Sequence, residues 1–135
     1  MARTETEMRV QPLITVRDVE ASSRWYQELL ACESGHGDPE YEMLLKDGHL
    51  LLQLHHWNDH EHPNMSDPDA APHGYGVLLW FETATFDAAV RRARELGAHI
   101  LQEPHVNPRA KHRECWIRDL DGYTIVLASS HGDVG

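Results

Sequence analysis

The sequence predicts an α+β fold of two tandem βαβββ modules. Three observations carry it: one stretch of chain occurs twice, strand-like sequence with a hairpin turn follows each copy, and neither half is large enough to bury a core alone. Residues 13–31 read LITVRDVEASSRWYQELLA and residues 78–98 read LLWFETATFDAAVRRARELGA. Each is a short apolar run, a polar break with a helix-capping residue, and an amphipathic helix ending in Glu-Leu.

The elements follow in order. Asp18 is placed to accept from the free N–H groups that open the first helix, and Thr85 to do so for the second. Trp25 and Leu29 stand four apart on one helical face, and Phe86, Val90 and Ala93 share a face in the second helix. Gly97 suits a left-handed turn after the second helix, whereas Ala31, in the matching place after the first, is a weaker stop. Residues 41–45 and 49–57 read as strands joined at Asp47-Gly48, and residues 114–118 and 123–128 flank a turn at Asp121-Gly122. Short strands at 32–34 and 100–102 complete the two halves. The expected organisation is a flexible N-terminus (1–8), a first module (9–57), a His/Asp/Pro-rich linker or lid (58–74), a second module (75–129) and a flexible tail (130–135).

At 135 residues, 41% apolar and 25% charged, with a mean hydropathy of −0.55, the chain is a soluble globular domain by composition. No apolar run approaches the ~20 residues of a membrane-spanning helix, and the polar start MARTETEM has no signal-like apolar region, so the expectation is a cytoplasmic protein with no membrane partner. A net charge of −10 argues against nucleic acid as a partner. The one basic cluster, PRAKHR, with Arg109, Lys111, His112 and Arg113, reads as a solvated loop rather than an anion contact. Cys32 and Cys115 lack CxxC spacing and are expected to be reduced and partly buried.

The runs ITVRDVEASSRWYQELL, ARELGAHILQEP and RDLDGYTIVLAS, in this order and spacing, resemble the vicinal oxygen chelate superfamily of glyoxalase I, extradiol dioxygenases and bleomycin-resistance proteins. The resemblance runs from about residue 10 to residue 129. It implies curled sheets that enclose a cavity, and a homodimer in which halves pair within one chain or across two. It also places metal-ligand positions at Gln11, Gln53, Gly76 and Val126. Two amide oxygens, a glycine and a valine suit zinc, iron or nickel poorly, so the usual metal site is expected to be lost. The closest character is the metal-free bleomycin-resistance-like branch.

Strand alternation then groups side chains on the implied cavity wall. Gln53, His55 and Trp57 point together, as do Gln11, Leu13 and Thr15, then Gly76, Leu78 and Trp80, then Thr124, Val126 and Ala128. The expected ligand cavity is therefore Gln11, Leu13, Gln53, His55, Trp57, Leu78, Trp80 and Val126, a mostly apolar pocket suited to a flat or aromatic ligand. Trp57 and Trp80 also fit as ordinary core residues. In LLQLHHWNDHEHP, His55 and His56 face opposite sides and cannot readily hold one ion; a relocated divalent-metal site would need His55, His60 and His62. Catalytic candidates are His55, His105 and Glu114, with His105 placed on a proline-stiffened loop and oriented by Glu103 or Glu114, or else a lone surface histidine.

Three functions stay open. The first is a protein that binds or sequesters a small aromatic or cationic molecule without a metal. The second is a lyase, isomerase or dioxygenase with an altered metal site or a histidine general base. The third is an interaction module using the 58–74 segment.

Overall fold

A computed structural model describes residues 9–57, 65, 67–69, 74 and 76–135. The first module comprises β1 (Leu13–Val16), α1 (Val19–Leu30), β2 (Glu33–Gly37), β3 (Tyr41–Lys46) and β4 (His49–His56). The second comprises β5 (Leu78–Glu82), α2 (Phe86–Glu95), β6 (His99–Asn107), β7 (His112–Arg118) and β8 (Thr124–Ala128). Each forms a mixed four-stranded sheet, in the orders β1-β4-β3-β2 and β5-β8-β7-β6. In both, the first strand runs parallel to the last and the other pairings are antiparallel. The expected tandem βαβββ architecture is the observed one.

Local chemistry explains the boundaries. The Asp18 carboxylate accepts the Ala21 N–H at 2.9 Å and opens α1. Ala31 takes the left-handed conformation (φ 50°) that closes it, a position glycine fills more easily. Gly97 (φ 69°) follows α2. Asp47 and Gly48 both have positive φ, the pairing that a two-residue hairpin turn requires.

Four expectations need correcting. Thr85 occupies the N-cap of α2, but its side chain makes no capping bond; its N–H is instead taken by the Thr83 hydroxyl. β1 begins at Leu13, so Gln11 lies before the strand rather than on it. Residues 103–107 are not a loop: β6 runs through Pro104 to Asn107, with register shifts on either side of Gln102. Proline is tolerated because β6 is the sheet's edge strand. Finally, β7 starts at His112, which is buried instead of lying in a solvated basic loop.

The modules share one core, as their size requires. Trp25, Tyr26 and Leu29 of α1 join Phe86, Ala89, Val90 and Ala93 of α2 and Ile117, Ile125 and Leu127 of the second sheet in a single buried cluster. Polar ties cross the joint. The Tyr26 hydroxyl donates to the buried Asp119 carboxylate, and the Tyr123 hydroxyl donates to the Thr15 carbonyl at 2.9 Å. Arg92 and Lys46 donate to the Leu29 and Leu30 carbonyls at the C-terminus of α1, where positive charge suits the helix dipole. Burial pushes the Asp119 pKa up against the opposing bonds from Tyr26, Tyr123 N–H and Asp121 N–H.

Candidate functional site

Each sheet covers the helices with one face and presents the other away from them. In the first sheet Leu44, Leu52 and Leu54 are buried, whereas Tyr41, Met43, Gln53 and His55 alternate with them and stay half-buried. There the Tyr41 hydroxyl donates to Gln53 Oε1, and Gln53 Nε2 donates to the Gln11 carbonyl at 3.0 Å. The His55 ring stands 6.3 Å from the Tyr41 ring, with Nδ1 2.7 Å from the His56 carbonyl oxygen. Trp57 follows the end of β4 and is half-buried.

The corresponding face of the second sheet holds a denser arrangement. His112, Glu114 and Trp116 alternate along β7, with Asn107 opposite His112 and His105 opposite Glu114 on β6. Glu114 is only 3% exposed. Its Oε2 accepts from Asn107 Nδ2 at 2.8 Å and from His112 Nε2 at 2.6 Å, and its Oε1 accepts from Trp116 Nε1 at 2.9 Å. Burial pushes the Glu114 pKa up, but these bonds outweigh it and hold the carboxyl below its ordinary range, hence ionised. All three donors are neutral groups when the imidazole is neutral, and a net negative charge then stays in the sheet. The Trp80 indole, 45% exposed, lies 5.7 Å from the His112 ring.

Gln11 lines a 710 Å³ basin with Arg9, Leu45 and His49. Leu78 and Trp80 line an adjoining 450 Å³ cleft with Pro12 and Leu51, and Val10 and Leu50 border both. Leu13 pairs with Gln53 in register and is exposed. Val126 is fully buried, in register between Trp80 and Trp116. Among the catalytic candidates, His105 Nδ1 lies 2.8 Å from the Glu103 carbonyl oxygen, while the Glu103 carboxylate pairs with Arg94. His105 Nε2 is 3.8 Å from Glu114, beyond hydrogen-bonding reach. His60 and His62, with most of the 58–74 segment and residues 1–8, lie outside the described residues.

His112, Asn107 and Trp116 escaped the sequence reading. Their signal is the alternation H-x-E-x-W, which places an imidazole, a carboxylate and an indole on one strand face; starting the strand at Glu114 cut it short.

The inherited metal-ligand positions do not fit a metal. Gln53 has its oxygen and an N–H engaged, and Val126 offers hydrocarbon. Register also moves one position. Gln11 lies two residues before Leu13, the partner of Gln53; two before Trp80, the partner of Val126, is Leu78 and not Gly76. Leucine is no better a ligand than glycine.

The fold recurs in solved structures of low sequence identity. A virulence protein from Salmonella typhimurium superposes with a TM-score of 0.68 at 22% identity, covering 94% of this chain and 99% of that one. A bleomycin resistance determinant encoded on the transposon Tn5 gives 0.67 at 16%, covering 92% and 98%. A lactoylglutathione lyase from Agrobacterium tumefaciens gives 0.69 at 15%, covering 93% and 96%. Comparison with curated proteins gave no match. Residues 9–127 match the Glyoxalase/Bleomycin resistance protein/Dioxygenase superfamily, and with the paired βαβββ modules this makes the chain a member of that superfamily.

Proposed function

We propose that the protein binds, and so sequesters, a small aromatic or cationic molecule without a metal. The observation that carries this reading is the exposed Trp80 indole 5.7 Å from the His112 ring, whose Nε2 meets the buried, ionised Glu114. An indole face offers stacking area and attraction for a cation, and the carboxylate adds directional charge. The net charge of −10 draws cations in the same sense and repels nucleic acid. Sequestration needs affinity alone, so no nucleophile or metal-bound water has to be found.

A homodimer completes the proposal. β1 and β5 are edge strands, and Val10, Leu13, Val77 and Leu78 expose apolar surface along them. A second copy is the occupant this surface suits, because apolar edges left open invite pairing. A cytoplasmic location accords with this reading; among the described residues no helix is long and apolar enough to cross a membrane.

The test is calorimetric titration with aromatic cations, neutral aromatics and aliphatic cations, beside metal reloading with zinc, iron, manganese and nickel followed by desalting. Aromatic cations are expected to bind best, with Trp80→Ala weakening them and no metal retained. Near-stoichiometric retention of one metal, lost in His55→Ala, would overturn the metal-free reading. Sedimentation velocity is expected to show a dimer.

A further inference from the structure

The Glu114 cluster fixes more than a charge; it fixes the proton on a neighbouring imidazole. His112 Nε2 lies 2.6 Å from Glu114 Oε2. An ionised carboxylate only accepts, so the proton of this contact sits on Nε2. In the neutral ring Nδ1 is then a bare acceptor, and among the described residues none donates to it. Asn107 and Trp116 hold the carboxylate from two further directions, so the imidazole cannot easily change tautomer without breaking a buried network. The Trp80 ring is tilted at 55° to His112, close enough for one ligand to touch both. His131, exposed on the C-terminal turn, stands edge-on to His112 with centroids 6.5 Å apart.

We infer that this site selects a flat aromatic cation that carries an N–H, of the arylamidinium class, with its ring on Trp80 and its N–H donated to His112 Nδ1. The inference rests on the proposed binding of aromatic or cationic molecules and narrows it. A quaternary cation brings the charge but leaves Nδ1 without a donor once water is displaced. A neutral amide brings a donor but no charge to meet Glu114. The protic cation supplies both, and a charge-assisted bond is about twice as strong as a neutral one.

Three probes separate these terms by calorimetry on the full chain: benzamidine, phenyltrimethylammonium and benzamide. Benzamidine is expected to bind at least about tenfold more tightly than either of the others. His112→Phe keeps a ring and removes the acceptor; it should cut benzamidine affinity about tenfold and bring the three together. Trp80→Ala should weaken all three. Equal affinity for benzamidine and phenyltrimethylammonium in the unmutated protein would overturn this inference and leave the broader binding proposal standing. Failure of all three to bind would overturn both. Long-range ¹H–¹⁵N NMR reads the His112 tautomer with no ligand and no mutation: in the neutral ring a proton on Nε2 and none on Nδ1 is expected, and the Nδ1–H tautomer would overturn the inference even if His112→Phe fails to fold.

Discussion

The two modules share a plan and differ in where each keeps its polar groups. Aligned by register, Gln53 corresponds to Val126, His55 to Ala128, and Tyr41 to Glu114. The first module places its amide and imidazole on its last strand, half-open, with Gln53 tied down by neutral partners. In the second, the last strand is reduced to buried Val126 and Ala128, and the polar chemistry has moved one strand over to His112, Glu114 and Trp116. Small apolar residues on β8 are what allow a carboxylate on β7 to lie buried among its donors. On this face the same backbone therefore carries a neutral clamp in one half and a buried carboxylate in the other.

The sharpest way to break this comparison is to delete the polar centre of each module. Glu114→Leu strands the Asn107, His112 and Trp116 donors together, and should cost about 3 kcal/mol, near 10 °C in melting temperature. Tyr41→Phe removes one hydroxyl from a half-open face and should cost about 1 kcal/mol. Equal losses in thermal unfolding would mean that burial does not distinguish the two faces.

A subtler test uses two buried carboxylates of the second module that titrate in opposite senses. The Glu114 pKa is lowered, so its contribution to stability is present above the unfolded value of about 4.3 and is lost as pH falls through the folded value. The Asp119 pKa is raised, chiefly by burial, so its contribution is present below about 3.9 and is lost as pH rises through the folded value. In urea unfolding between about pH 3 and pH 7, the deficit of Glu114→Gln should shrink on acidification while that of Asp119→Asn should grow. Parallel slopes would show that the two carboxylates do not differ as their surroundings require.

The smallest effect belongs to the basic cluster. Arg113 donates to Asp87 at 2.9 Å and lies 4.7 Å over the Phe86 ring, but both charges face water. Arg113→Ala should cost about 0.5 kcal/mol in the same unfolding assay, weakened further by salt.

Much of the fold was legible because its signals are local. The Asp18 cap, the Asp47-Gly48 turn and the buried faces through Trp25, Leu29, Phe86, Val90 and Ala93 depend on residues within one or two turns of each other. The site was legible in pieces. Glu114, His105, Trp80 and Val126 stand out in the sequence, but Val126 is covered, and nothing local separates His112 from the polar PRAKHR run. Both have one cause: whether a strand residue is open or covered depends on its neighbours across the sheet, and those lie 7 to 46 residues away in the pairs Asn107–Glu114 and Trp80–Val126.

The sequence alone determined the duplicated βαβββ order, the helix faces and the hairpin turns, because these follow from periodicity and backbone preference. Only the tertiary structure decided that Glu114 is a buried hub held by three donors and that the imidazole reaching it is His112 rather than His105. A carboxylate's charge state and a histidine's tautomer are set by which donors reach them in space, and that is decided when strands pair.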